Sequence, residues 1–126
     1  MRHSKVVPLL AALLASCAPS EDKRRHDMMD AMEAGLRMPR RAASFDRYAR
    51  YYARTPDGSI IGLITVPLNA GNPKAWDNLE AGQRRWVSDY RLIESVFDGG
   101  CAVMTVRYNP HTRERAGPFC QGEPSD

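Results

Sequence analysis

Histidine and cysteine are scarce in this chain, three of each in 126 residues. That scarcity argues against a metal centre. His26 with Asp30, or His111 with Glu114, could offer two ligands apiece, whereas a closed site needs three or four. The glycines at positions 58, 62, 71, 99 and 100 form neither a dinucleotide-binding fingerprint nor a phosphate-binding loop. Ser59, Ser88 and Ser95 lack the flanking glycines of a nucleophile elbow. The chain has no internal repeat and no low-complexity tract, and beyond its first residues it has no further candidate for a membrane span. These absences leave no pattern for a metalloenzyme, a nucleotide-binding domain or a serine hydrolase, and the expectation is a non-enzyme without a cofactor.

What is present begins at the N-terminus. Met1 to Lys5 carries Arg2 and Lys5 and no acid, and Val6 to Ala15 is an unbroken apolar run, followed at once by Leu14-Ala15-Ser16-Cys17. This is the order of an export signal. A ten-residue helix rises only about 15 Å, half the hydrocarbon thickness of a bilayer, so a permanent spanning helix fits less well.

The junction Leu14-Ala15-Ser16-Cys17 resembles the lipobox of bacterial lipoproteins, an aliphatic residue and two small ones before a cysteine. The resemblance implies cleavage before Cys17 and a diacylglyceryl group on its thiol. Cleavage after Ala18, with Ser16 and Ala18 as the small-residue pair, is the alternative, and either route exports the remainder. Ala18 after the lipid-bearing cysteine resembles the outer-membrane sorting pattern, because an aspartate there is the usual retention signal. Removing residues 1–16 takes Arg2 and Lys5 with it, so the formal net charge of +3 belongs mostly to the signal. With Cys17 allotted to lipid, Cys101 and Cys120 remain as an even pair in a compartment where disulfides persist.

Residues 17–23 contain Pro19 and Ser20 without apolar period and read as a tether. The composition, 43% apolar and 26% charged, suits one globular domain over residues 24–122, with 123–126 as a disordered tail. Met28, Met29, Met32 and Leu36 recur at three- and four-residue steps, predicting a helix ended by Gly35 and Pro39. Phe45 to Arg54 fits a helical face as well as a strand. Its tyrosines and the following Thr55-Pro56-Asp57-Gly58 favour a strand from about Arg47 into a turn. Ser59 to Val66 is apolar on both faces and reads as the central strand. Residues 67–82 collect Asn69, Gly71, Asn72, Pro73 and Gly82, a long loop with one helical turn near Trp76 to Leu79. Trp86, Tyr90, Ile93 and Phe97 recur by four, three and four, predicting a second short helix over residues 83–97.

Cys101 to Tyr108 alternates around β-branched residues, and Asn109-Pro110-His111-Thr112 has turn chemistry. A four-residue turn there sets Cys101 opposite Cys120, within disulfide range. Pro118 cannot donate to a ladder and places the returning strand at an edge or beside a bulge. The expected fold is α+β: an N-terminal helix and a short second helix packed on an antiparallel sheet of about four strands in two hairpins. In size, lipobox and layout the chain resembles the small accessory lipoproteins of the bacterial outer envelope. The run from Arg50 to Val66 together with Gly82 to Val106 resembles exported proteins of uncharacterised function. Neither resemblance carries a functional residue across.

Six arginines (Arg37, Arg40, Arg41, Arg47, Arg50, Arg54) stand against one acid, Asp46, between residues 37 and 54. Arginines interleaved with tyrosines can hold single-stranded nucleic acid, but export removes such partners. At an envelope surface the same side chains suit an envelope protein, a glycan or an anionic lipid. Arg47, Arg50, Tyr51 and Arg54 are therefore the candidate binding surface, and a strand with outward arginines and half-buried tyrosines is the plainer alternative. The reading that follows is a lipid-anchored, periplasm-facing binding or assembly accessory of the outer membrane. An inhibitor of a periplasmic or host hydrolase, presenting a rigid loop, is the second. A hydrolase using Glu94 and Asp98, four apart on one helix face, is the third and weakest.

Overall fold

The computed structural model describes residues 20–96 and 98–121. The apolar run, the lipobox with Cys17, and the tail after Gln121 lie outside the described residues.

Helix α1 is Glu21–Glu33. Its start is set by Ser20, whose hydroxyl accepts the Lys23 backbone N–H at 3.2 Å, with Glu21 and Asp22 in the first turn where acids favour the helix dipole. Helix therefore begins within the stretch expected to be tether. It ends at Glu33, just before Gly35, the first of the two expected stops, which takes a φ of +75°. Met29 and Met32 are fully buried beneath it, so the methionine stripe is core.

After a short 3-10 turn at Phe45–Arg47, strands β1 (Ala49–Arg54), β2 (Ile60–Thr65), β3 (Arg84–Trp86), β4 (Gly100–Tyr108) and β5 (Arg115–Gln121) form one sheet, and α2 (Tyr90–Glu94) lies between β3 and β4 in the chain. The spatial order is β3-β1-β2-β4-β5. The domain is α+β, as expected, but its sheet has five strands and is mixed: β3 runs parallel to β1, pairing Arg50 with Arg84 and Tyr52 with Trp86. The expected helix over residues 83–97 is thus split. Among its described residues Trp86 belongs to a strand and only Tyr90–Glu94 is helical, because Asp89 caps a new helix start by accepting the Arg91 N–H at 3.0 Å, and Phe97 lies outside the described residues.

β2 is the central strand, with every side chain buried. Its two apolar faces feed two cores. Met29, Met32, Tyr52, Ile60, Ile64 and Met104 meet on the α1 side, and Tyr51, Ile61, Leu63, Leu79 and Ile93 meet beneath α2 and the 67–82 loop. Gly62 stands between Tyr52 and Val106 in register. A Cβ there would lie 2.8 Å from the Tyr52 ring and from a Val106 methyl, so the bare backbone makes room for the phenol.

Cys101 and Cys120 are bonded, their Cα atoms 4.4 Å apart. The uniform register that brought them together on paper is not the one observed. Tyr108 pairs with Arg115, not Arg113, so the turn is two residues longer, and Arg113 holds a φ of 64° within it. Register shifts between Thr105 and Arg107 and between Gly100 and Met104 then restore the opposition at the far end, where Gly100 faces Gln121. Pro118 lies beside the first of these irregularities on the edge strand, where its missing N–H leaves no ladder gap.

Candidate binding surface

The four residues expected to share a surface part company. β1 is the second strand of a sheet covered on both faces, so every side chain from Ala49 to Ala53 is buried, and alternation sends Tyr51 one way and Arg50 and Tyr52 the other. Tyr51 is completely buried. Its hydroxyl accepts the Leu79 N–H at 2.9 Å and its ring meets Trp76 edge-on at 5.2 Å, which fastens the 67–82 loop to the sheet. Burial pushes its phenol above the ordinary value. Arg50 lies beneath α1, its guanidinium 4.5 Å from the Phe45 ring and its Nε donating to Glu33 at 2.9 Å. Arg47 and Arg54 alone of the four are exposed.

Glu33 is the residue that sequence reasoning missed. It accepts from Arg50, from the Tyr52 hydroxyl at 2.6 Å and from Arg84 at 3.1 Å, while Arg84 also reaches Asp30 at 2.7 Å. Burial, then the neighbouring carboxylate, hold the Tyr52 phenol far above its ordinary range, so it stays a proton donor. An acid in the last turn of a helix opposes the dipole, and α1 has no base there. That local misfit was the available signal that Glu33 answers to partners elsewhere. Arg115 completes the helix end by donating to the carbonyls of Ala31 and Met32.

Residues 36–45 form a strap between α1 and β1. Leu36, Met38, Ala42 and Phe45 pack against the α1-side core, whereas Arg37, Arg40 and Arg41 are exposed, as is Arg47 just beyond. The strap is held from below by Tyr48, whose hydroxyl accepts the Ala43 N–H at 3.0 Å and donates to the Cys101 carbonyl at 2.9 Å. A second basic group lies at the other end of α1. The guanidinium carbons of Arg25 and Arg54 each stand 6.0 Å from the centroid of the half-buried Trp86 ring.

On the opposite face an open cleft of about 430 Å³ has Ile61, Ile93 and Val96 among its lining residues. Glu94 and Arg107 form an ion pair at 2.9 Å there, and Gln121 donates to Thr105 at 2.8 Å. Glu94 is the last residue of α2, so it and Asp98 do not share a helix face as the hydrolase reading required. His26 and His111 are both exposed, and the acid near His26, Asp30, is engaged by Arg84. Among the described residues no group of three or more His, Cys, Asp or Glu side chains is placed to hold a metal ion, and no helix is long and apolar enough to cross a membrane. The 67–82 loop carries turns in place of the expected helical turn. Side-chain hydrogen bonds cross it from Asn69 to Asp77 at 2.7 Å and from Asn78 to the Asn72 carbonyl at 3.0 Å. Leu68 at its start is 47% exposed.

Compared with known protein families, curated proteins and solved structures, the chain matches none of them.

Proposed function

We propose that the chain is an exported lipoprotein, anchored through Cys17 to the outer membrane, whose domain serves as a non-enzymatic binding or assembly accessory on the periplasmic side. The observation that carries the reading is the allotment of its three thiols. Cys101 and Cys120 are joined within one hairpin, and the cysteine left over is the one that closes the lipobox-like run. The binding face on this reading is the arginine strap, Arg37, Arg40 and Arg41 with Arg47, in place of the Arg50 and Tyr51 pair that packing removes from the surface. Intact-mass analysis of the chain from bacterial membranes is expected to show loss of residues 1–16, a diacylglyceryl group on Cys17 and an oxidised cysteine pair. An unprocessed, reduced chain in the cell interior overturns the proposal. Replacing Arg37, Arg40 and Arg47 with serine is expected to weaken recovery of a crosslinked envelope partner, and unchanged recovery removes the strap from consideration.

Inhibition of a hydrolase is the second reading, favoured by the cross-braced 67–82 loop and the exposure of Leu68. It requires a tight complex with one glycan hydrolase or protease that Leu68→Asp abolishes. A panel of such enzymes that yields no complex disposes of it.

A further inference from the structure

If Cys17 carries the lipid, only three peptide links, through Ala18 and Pro19, separate its Cα from that of Ser20, which caps α1. They span at most about 11 Å however they are arranged. The polar layer of a bilayer is itself roughly 5 to 7 Å deep on each side. The start of α1 is therefore tethered no more than about 4 to 6 Å beyond that layer, close enough for arginine side chains beside it to reach lipid headgroups.

Those side chains are Arg25 and Arg54, beside Trp86. Arg25 is in the second turn, and its Nε forms only a loose ion pair with Glu21 at 3.6 Å, which Glu21 shares with Arg24. Its buried Nε has no hydrogen-bond partner. Arg54 is exposed, forms no ion pair among the described residues, and spends one donor on the thioether of Met28 at 3.0 Å, a weak acceptor. Both guanidiniums flank one indole, an amphipathic ring of the kind that settles at headgroup depth. The surrounding charges nearly balance: Glu21, Asp22 and Asp27 against Lys23 and Arg24, with Lys23 held by Asp27 at 3.1 Å and Glu21 divided between Arg24 and Arg25 at 3.6 Å each. The attraction is therefore local, from forked donors to a phosphate, and not a long-range field.

We propose that Arg25, Arg54 and Trp86 form a seat for the headgroup phosphate of an anionic phospholipid in the anchoring membrane. A phosphate already paired with its own ammonium, as in phosphatidylcholine, is the poorer occupant. The proposal rests on lipidation at Cys17, and the experiment separates the two. The lipidated chain, with Trp76→Phe so that Trp86 alone reports, is reconstituted into vesicles with or without phosphatidylglycerol and a spin-label quencher at headgroup depth. Where Trp76→Phe fails to fold, the difference in emission between the unaltered chain and its Trp86→Phe variant isolates the same signal. Quenching of Trp86 is expected with phosphatidylglycerol and not with phosphatidylcholine alone. Each arginine beside an anionic surface is worth about fivefold in partitioning, so Arg25→Gln with Arg54→Gln lowers the docked-to-free ratio about twenty-five-fold, while lysine at both positions, which keeps the charge without the fork, restores only part of it. An acylated chain whose Trp86 is quenched equally in both vesicles, or equally in the glutamine variant, overturns the seat and leaves the anchor standing. A chain whose mass shows no acyl group on Cys17 overturns both.

Discussion

Replacing Glu33 with alanine tests the claim that a charged cluster under α1, and not the helix's own propensity, holds its C-terminal end. Three donors lose their acceptor at once: Arg50 Nε at 2.9 Å, Arg84 at 3.1 Å and the Tyr52 hydroxyl at 2.6 Å. The side chains of Glu33 and Arg50 are only 16% and 10% exposed, so water replaces little of what is removed. Stranding one member of a buried ion pair costs about 3 to 5 kcal/mol, and because Arg84 keeps Asp30 the lower end applies, about 3 kcal/mol. For a domain of this size that corresponds to a melting temperature lower by about 12 to 24 °C. Urea unfolding followed by tryptophan emission gives the free energy directly. Glu33→Gln, which preserves shape and an acceptor for Tyr52, is expected to lose about half as much. Adding Arg50→Met to Glu33→Ala is expected to recover part of the loss by removing the stranded charge. A cost below about 1 kcal/mol for Glu33→Ala, the level of an exposed pair, refutes the reasoning.

Cys101→Ser opens a loop whose ends are 19 residues apart and is expected to lower stability by about 3 kcal/mol in urea unfolding, a loss that reduction of the unaltered chain reproduces. Gly62→Ala forces a methyl to 2.8 Å from the Tyr52 ring and Val106, with an expected cost of about 1 to 3 kcal/mol; an unchanged urea midpoint counts against the packing described. Asp57 accepts hydrogen bonds from the Thr55 hydroxyl and the Ser59 N–H, which hold its carboxyl below the ordinary range. The carboxylate's contribution is complete above about pH 4 and is lost as the pH falls through the lowered value, so Asp57→Ala is expected to flatten the acid limb of a stability profile and leave its alkaline limb unchanged.

The parts of the fold that were legible are those governed by neighbours in the chain. Ile60 to Ile64 is apolar on both faces, which only a central strand tolerates, and Pro56-Asp57-Gly58 turns the chain into it. The disulfide was legible although the register that justified it was not, since two compensating irregularities cannot be read from alternation alone. β3 was illegible because Arg84 to Trp86 is held by a parallel partner more than thirty residues earlier, and the Trp86-Tyr90-Ile93 spacing imitates a helix. The binding surface failed for a related reason. Arg50 and Tyr51 look like surface residues until Glu33 and the Leu79 backbone, both distant in sequence, supply the partners that let them be buried. Arg47 and Arg54, at the ends of that segment, stayed outside, Arg54 meeting the Met28 thioether and the Trp86 ring.

The sheet finishes on one side with the three-residue β3 and on the other with β5, where Pro118 interrupts the row of donors. Neither rim offers a foreign strand the run of alternating amides it would need to zip on. Many copies can thus crowd together, their flanks brushing, without the sheets fusing into fibrils.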